Sequence, residues 1–166
     1  MSTVQPATRS QGRAPWDKEV ALRRIRECLH LEGPLLPILQ ALQEEFGYID
    51  EAAEPVIAEE LNITRAEVHG VLTFYHDFRR APAGRHVLKL CRAESCQAAG
   101  GDTLAARAES RLGVALGNTT ADGRVTLEAV YCLGLCSVSP SAMIDDRVVA
   151  RLDAKKLDSL LAEVDR

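Results

Sequence analysis

The segments that decide the fold are Leu88-Lys89-Leu90-Cys91-Arg92-Ala93-Glu94-Ser95-Cys96 and Val130-Tyr131-Cys132-Leu133-Gly134-Leu135-Cys136. They contain four of the five cysteines, as a C-x4-C pair and a C-x3-C pair with 35 residues between them. Each pair follows a short apolar run that is typical of a strand. Two tight pairs of thiols behind strand-like segments indicate a metal site.

The spacing within the pairs favours a [2Fe-2S] cluster. Each iron of such a cluster takes two protein thiolates, and a gap of three or four residues lets one loop present both. We therefore predict that Cys91 and Cys96 bind one iron and that Cys132 and Cys136 bind the other. Three glycines beside these ligands would let backbone N–H groups approach the sulfurs: Gly100, Gly101 and Gly134.

Three other interpretations of the cysteines stay open. A structural zinc site typically uses C-x2-C pairs in short turns, which the wider gaps here fit less well. A thioredoxin-type disulfide enzyme needs C-x-x-C at the start of a helix, and the sequence has no such motif. Four unrelated buried cysteines would rarely fall into two tight pairs.

The composition is that of an ordinary soluble protein, with 46% hydrophobic and 27% charged residues in a chain of 166. No apolar run approaches the roughly 18 residues of a membrane span, and the N-terminus lacks the apolar core of a secretory signal. We therefore predict a cytoplasmic protein, in which thiols stay reduced. The Arg- and Ser-containing start leaves a short transit peptide as an alternative.

The sequence pattern divides the chain into a tail and two domains. Residues 1–15 are polar and are predicted to be a disordered tail. Residues 16–80 place apolar residues at helical spacing and predict a four-helix unit, which we expect to dock the chain to a partner. Residues 81–166 begin in a Pro- and Gly-containing linker and alternate strands with helices. The predicted fold class is therefore α+β.

Local signals mark the boundaries of the helices. Gly47 is predicted to stop the second helix, and Thr64-Arg65-Ala66-Glu67 forms a capping box that begins the fourth. Cys28 lies on the apolar stripe of the first helix, so we interpret it as a core residue and not as a fifth ligand.

The segment from Glu59 to Tyr75 resembles a helix-turn-helix. DNA binding would require a basic face, because phosphate neutralisation supplies most of the affinity. Residues 17–80 contain 7 Lys and Arg against 13 Asp and Glu, a net charge of −6. Nucleic-acid binding is therefore not predicted.

The second domain is predicted to have the element order β-α-β-β-β-α, which is compatible with a thioredoxin-like fold. The predicted elements are the strand His86–Cys91, a helix capped by Asp102 and ending at Leu112, the strand Arg124–Glu128 with its continuation to Cys132, the hairpin Ser141–Arg151 and the helix Ala154–Val164.

No catalytic residue is predicted anywhere in the chain. The pair Gly100-Gly101 matches neither of the common phosphate-binding glycine motifs. His69 and His76 lie seven residues apart, and we interpret them as helix-surface or interface residues, with a paired metal role as the alternative.

The pattern Cys91-x4-Cys96 … Cys132-Leu-Gly-x-Cys136 follows Gly70-Val71-x-Thr73-Phe74-Tyr75 and Thr120-x-Asp122-Gly123. In this order and spacing it resembles the 24-kDa [2Fe-2S] subunit family of NADH dehydrogenases, over about residues 17–165. The resemblance implies a helical N-terminal domain joined to a thioredoxin-like [2Fe-2S] ferredoxin domain. The family's four ligand cysteines correspond to Cys91, Cys96, Cys132 and Cys136.

The resemblance also implies the partners of the chain. We expect one [2Fe-2S] cluster here, with FMN, NAD, further iron–sulfur clusters and a molybdenum cofactor on partner subunits only. The partners would be a flavin- and NADH-binding subunit and a large molybdenum-containing catalytic subunit, and neither nucleic acid nor the membrane interior is an expected partner.

Within the family, Cys91-Arg-Ala-Glu-Ser-Cys96-Gln97 is most similar to the gamma subunit of NAD-dependent, molybdenum-containing formate dehydrogenases. Respiratory subunits usually read Ala-Pro after the second cysteine pair, where this chain has Ser139-Pro140-Ser141. The resemblance therefore implies electron transfer in a formate dehydrogenase complex. Respiratory NADH dehydrogenase and the diaphorase unit of bidirectional hydrogenases are alternative parent complexes, and a zinc-stabilised binding module is the alternative from another class.

Overall fold

The computed structural model describes residues 15–164, which form two compact units with the boundary in the chain between Pro82 and Ala83. The predicted tail lies outside the described residues, apart from Pro15. No helix within residues 15–164 is long and apolar enough to cross a membrane. The helices of the first unit are α1 (Lys18–Cys28), α2 (Leu35–Phe46), α3 (Ala53–Leu61) and α4 (Arg65–Phe74).

Side-chain and glycine caps set the ends of these helices. The Asp17 carboxylate accepts a hydrogen bond from the Val20 amide and starts α1. Gly47 ends α2 in a left-handed conformation with φ of 84°, as predicted. The predicted capping box at α4 is present, with Thr64 and Glu67 each accepting from the other's amide.

The core of the first unit is made of aliphatic side chains and one phenylalanine from all four helices. Buried side chains include Ile25, Ile38, Leu42, Ile57 and Val68, all with no exposed surface. Cys28 is partly buried and packs against this core, as predicted.

The second unit contains a five-stranded sheet in the order β2-β3-β1-β4-β5. The strands are β1 (His86–Cys91), β2 (Asn118–Thr119), β3 (Val125–Val130), β4 (Ala142–Ile144) and β5 (Arg147–Val149), and the helices are α5 (Glu94–Ala98), α6 (Gly101–Leu112) and α7 (Ala154–Val164). β1 and β3 run parallel, whereas the remaining neighbours are antiparallel.

The central strands bury their apolar residues against two helices. Leu88 of β1 and Leu127 of β3 share one core with Leu104 of α6 and Leu157 of α7. Because β1 pairs with both β3 and β4, it occupies the middle of the sheet. Its C-terminal residue, Cys91, therefore lies between β3 on one side and the start of β4 on the other.

Three details of the second unit differ from the sequence-based prediction. Cys96 lies in the short helix α5 and not in a loop, and the two-residue strand β2 was not predicted. The prediction that Asp102 caps α6 was wrong, because Gly100, with φ of 91°, occupies the N-cap position without a side-chain cap. Asp102 lies in the first turn, where its carboxylate pairs with Arg92 at 3.0 Å.

Candidate metal centre

Two parallel strands deliver the two cysteine pairs to the same edge of the sheet. In the β1–β3 register Cys91 is the partner of Val130, so both strands end at the same level. Cys91 is the last residue of β1, and Cys132 follows two residues after the end of β3. The prediction that neighbouring strands bring the loops together is confirmed.

The first pair of thiols is buried. Cys91 is 3% exposed, and Cys96, on α5, is 1% exposed. The Cys91 amide donates to the Ser141 carbonyl at 3.1 Å, which extends the β1–β4 ladder by one residue. The backbone therefore fixes Cys91 from the β4 side as well as from β3.

The second pair is exposed and lies close together. The Sγ atoms of Cys132 and Cys136 are 3.9 Å apart, and the Gly134 amide donates to the Cys132 Sγ at 3.3 Å. Cys132 has φ of 148°, a backbone region that residues with a Cβ rarely adopt. Gly134, with φ of 75°, makes the reversal that places Cys136 back beside Cys132.

Polar contacts tie the two loops to each other. The Ser95 hydroxyl contacts the Cys136 carbonyl at 2.9 Å and the Ser139 hydroxyl at 3.1 Å. The Arg92 amide donates to the Val130 carbonyl at 2.8 Å. The two pairs are thus held by backbone and side-chain bonds that are independent of any bound metal.

The thiol of Cys91 shows that both loops meet at one point. Burial raises the pKa of the Cys91 thiol, but hydrogen bonds outweigh this and leave the pKa below that of an ordinary cysteine. The groups that lower it are the Ala93 amide, the Cys96 thiol, the Leu133 amide and the Ser141 hydroxyl. Leu133 belongs to the second loop, so its amide brings that loop to the buried pair.

Electrostatic repulsion among the thiols points to the same arrangement. A hydrogen bond with Cys132, and then the charge of Cys132, raise the pKa of the exposed Cys136 thiol. The charges of Cys96 and Cys91 raise this pKa as well. Four thiolates within electrostatic reach of each other repel unless a cation lies among them, and a coordinating metal deprotonates its thiols outright.

This donor set fits an iron–sulfur cluster. All five cysteines are free, and four of them form two pairs of thiols. Two sulfurs bound at about 2.3 Å to one tetrahedral metal lie roughly 3.8 Å apart, close to the 3.9 Å between Cys132 and Cys136. Within residues 15–164 no three His, Cys, Asp or Glu side chains are arranged to hold a single metal ion.

One of the predicted glycines lies at a close backbone approach. A Cβ on Gly101 would lie 2.6 Å from the carbonyl oxygen of Cys96, so α6 can begin against α5 only with glycine there. The predicted contact between a glycine amide and a sulfur is found at Gly134.

The chain segment that contains the exposed pair carries no charged residue. Residues 129–144 contain no Lys, Arg, His, Asp or Glu, and Tyr131 beside Cys132 is 76% exposed. Positive charge lies on the buried side, where Arg92 follows Cys91 and pairs with Asp102. The buried Nε of Arg92 has no hydrogen-bond partner among the described residues.

Sequence reasoning missed the serines of this centre. Ser141 is 2% exposed, and its Oγ lies 3.6 Å from the Cys96 Sγ. Ser95 and Ser141 are separated by 46 positions, and no local pattern joins them. The run Ser139-Pro140-Ser141 is the one sequence feature that points to this loop.

His69 and His76 belong to the first unit, whereas the cysteine pairs belong to the second. The His69 Nδ1 is 3.3 Å from the buried carboxylate of Glu54, which also pairs with Arg80 at 2.7 Å. His76 lies beyond the end of α4 and therefore does not share a helix face with His69. Both histidines are exposed, as the interpretation as surface residues predicts, although His76 lies two residues beyond the last residue of α4.

A small thioredoxin-like domain with two facing thiol pairs is the class of protein that this fold and site define. The chain belongs to the family of thioredoxin-like [2Fe-2S] ferredoxins, whose sequence profile matches residues 22–165. The predicted fold class and the predicted [2Fe-2S] cofactor are confirmed. The protein is thus an electron-transfer protein, and the resemblance to the 24-kDa subunit family is confirmed as well.

Curated relatives are components of larger oxidoreductases. One component of the NADH-quinone oxidoreductase of Pseudomonas aeruginosa is 41% identical over 123 residues, which cover 72% of this chain and 74% of that protein. The HndA component of the NADP-reducing hydrogenase of Solidesulfovibrio fructosivorans is 28% identical over 132 residues, which cover 80% of this chain and 77% of that protein.

A solved structure shows the same fold inside a longer chain. The crystal structure of an NAD+-reducing [NiFe]-hydrogenase in the air-oxidised state matches with a TM-score of 0.67 and 25% identity. The match covers 79% of this chain but only 22% of that hydrogenase chain. The likeness therefore concerns one domain-sized part of the longer protein.

Proposed function

We propose that this chain is the electron-transfer subunit of a cytoplasmic, NAD-linked oxidoreductase complex. Cys91 and Cys96 hold one iron of its [2Fe-2S] cluster, and Cys132 and Cys136 hold the other. The single observation that carries this proposal is the meeting of two thiol pairs at the ends of the adjacent parallel strands β1 and β3. When bound, the cluster supplies one-electron exchange.

The residues of this chain position and shield that exchange. The buried pair, Cys91 and Cys96, excludes water from one side, whereas the exposed pair leaves the other side open to a redox partner. The Gly134 amide donates to the Cys132 sulfur and stabilises negative charge there. Tyr131 and the other exposed residues of the uncharged segment 129–144 offer a surface that a partner can contact without removing charges from water.

The composition of the purified protein tests the ligand assignment. Anaerobically purified wild type should be brown and contain two irons and two acid-labile sulfides per chain. Cys132→Ser should abolish or alter the cluster spectrum because it removes a thiolate ligand. Cys28→Ser is the matched control and should keep the spectrum, since Cys28 packs against the core of the first unit. A colourless protein that contains zinc would contradict the proposal.

We propose formate as the substrate of the parent complex, with formate and nucleotide bound on other subunits. The support is the loop Cys91-Arg-Ala-Glu-Ser-Cys96-Gln97 together with Ser139-Pro140-Ser141. The relatives named above are components of NADH-quinone oxidoreductase and of hydrogenases, and these parent complexes are the alternatives.

Affinity purification from the native host separates these alternatives. A flavoprotein together with a large molybdenum-containing subunit would support formate dehydrogenase, with FMN and NAD bound by the flavoprotein. Nickel in the co-purifying subunits would indicate a hydrogenase, and quinone-reactive membrane subunits would indicate a respiratory complex.

We propose that the helical unit docks onto the flavoprotein. Its net charge of −6 over residues 17–80 contrasts with zero over residues 81–166. An apolar groove of about 780 Å³ opens beside α4, lined by Pro34, Leu36, Ile63, Val71 and Phe74, and Phe74 is 72% exposed. Contiguous exposed apolar surface of this kind marks protein interaction sites.

Exchanging the exposed acids Glu32, Glu44 and Glu59 for lysine should reduce co-purification with the flavoprotein, because it removes the net negative charge of residues 17–80. Asp146→Lys, in the β4–β5 turn, is the control for a charge reversal elsewhere. Unchanged assembly of the triple variant would count against the docking proposal.

A further inference from the structure

Ser141 is a buried polar side chain that faces the cysteine thiols. It is 2% exposed and lies directly before β4. Its Oγ is 3.6 Å from the Cys96 Sγ, and its hydroxyl also helps to lower the pKa of the Cys91 thiol. Among residues 15–164, the hydroxyl has no partner besides these two sulfurs.

The direction of this contact follows from the chemistry of the ligands. A thiol can donate or accept, but a thiolate bound to iron carries no hydrogen. The serine hydroxyl has one hydrogen and must then be the donor. A buried hydroxyl without this bond would lose its hydrogen bond with water and gain no other partner.

The backbone holds Ser141 in this position independently of its side chain. The Cys91 amide donates to the Ser141 carbonyl at 3.1 Å, and the next residue, Ala142, pairs with Leu90 across β1 and β4. Side-chain replacements at this position therefore leave the supporting backbone bonds in place.

We infer that Ser141 sets the reduction potential of the cluster by donating a hydrogen bond to the cysteine sulfurs on the buried side. This inference rests on the proposed cluster ligands. Reduction adds one negative charge to the cluster, and a donor aimed at a ligand sulfur stabilises the more negative state. Ser141 therefore raises the potential.

Ser141 is open to substitution in a way that the other donors are not. The Ala93 and Leu133 amides donate to the Cys91 sulfur, and the Gly134 amide donates to the Cys132 sulfur. A change of side chain leaves an amide donor in place, whereas Ser141→Ala deletes the hydroxyl. Position 141 is thus a point at which sequence alone can adjust the potential.

A redox titration followed by electron paramagnetic resonance tests the inference. Ser141→Ala and Ser141→Val should shift the equilibrium of one-electron reduction about tenfold toward the oxidised state, which is about 59 mV lower in potential. Ser141→Thr keeps the hydroxyl in the same volume as valine and should stay near the wild-type potential.

Ser159→Ala is the control. Its hydroxyl lies on α7 and donates to the Lys155 carbonyl at 3.0 Å. This variant should leave the potential unchanged. A purely structural role for Ser141 would alter thermal stability in the alanine variant while leaving its potential at the wild-type value, and that result would overturn the inference.

Cluster content distinguishes the remaining outcomes. Loss of the cluster in the alanine and valine variants, with retention in the threonine variant, would also support an essential hydroxyl at position 141. Loss of the cluster in the alanine, valine and threonine variants would show that side-chain volume at position 141, and not the hydroxyl, determines cluster binding. That result would overturn the inference. A wild type without iron would instead refute the proposed cluster itself.

Discussion

Gly101 and Gly70 are both helical glycines, but only Gly101 has a neighbour where a Cβ would lie. A Cβ at Gly101 would lie 2.6 Å from the Cys96 carbonyl oxygen, whereas nothing lies within 4 Å at Gly70. Gly101→Ala should therefore push α6 away from α5 and lower the free energy of unfolding by about 1–3 kcal/mol. Because Cys96 is on α5, cluster retention should fall as well.

The matched variant Gly70→Ala should instead stabilise the protein by up to about 1 kcal/mol, since alanine is the better helix former. Urea unfolding and iron content of the two variants check the pair of predictions. Wild-type stability and full iron in Gly101→Ala would show that α5 and α6 adjust to a side chain at this approach.

Individual residues also mark the limit of sequence-based prediction. Tight spacing identified the cysteines, because ligands on one loop must be close in sequence. The contact between Ser141 and Cys96 spans 45 positions and depends on β4 lying beside β1, which no local pattern encodes. The φ of 148° at Cys132 likewise leaves no trace in the sequence, since glycine does not occupy the position.

A capping box formed by Thr64 and Glu67 stabilises the first turn of α4. The Glu67 amide donates to the Thr64 hydroxyl at 3.2 Å, and the Thr64 amide donates to the Glu67 carboxylate at 2.8 Å. Thr64→Ala removes one side of this capping box and should destabilise the helical unit by about 1 kcal/mol. Thr64→Ser keeps the hydroxyl and should stay near wild type in chemical unfolding followed by circular dichroism.

The same capping box gives a pH dependence with a defined sign. Hydrogen bonds from the Thr64 amide and hydroxyl lower the pKa of Glu67, with the amide contributing most. A carboxyl whose pKa is lower in the folded state contributes stability above its unfolded pKa, and this contribution disappears as the pH falls through the folded value.

The stability difference between wild type and Thr64→Ala should therefore be full near neutral pH and shrink in acid, below the ordinary glutamate pKa. Unfolding curves of both proteins at neutral and acidic pH measure this difference in the free energy of unfolding. A difference that grows toward acid would mean that the Glu67 carboxylate is not part of the cap.

Elements differ in how well the sequence predicted them, and their length explains the difference. β1 and α7 were predicted with the bounds that the structure shows, because each has an apolar pattern over its whole length. The five-residue α5 and the two-residue β2 are too short for a periodic pattern, and tertiary pairing stabilises them. α5 matters most, because it replaces the expected loop around Cys96.

At the scale of the whole molecule, charge and apolar surface are distributed unevenly between the two units. Residues 17–80 have a net charge of −6, whereas residues 129–144 around the exposed thiols have none. Charged surfaces mainly set the rate of association, while buried apolar anchors mainly set the rate of dissociation. The docking proposal can therefore be divided into two kinetic parts.

Binding of the cluster-loaded chain to its flavoprotein, measured on a sensor surface over a range of salt concentrations, separates these parts. The triple exchange of Glu32, Glu44 and Glu59 for lysine should slow association, most strongly at low salt, where charges are least screened. Phe74→Ala should raise the dissociation rate about tenfold or more at every salt concentration, because an aromatic anchor leaves the apolar groove. Asp146→Lys should alter neither rate constant, and a Phe74→Ala variant that dissociates like wild type would remove the groove from the interface.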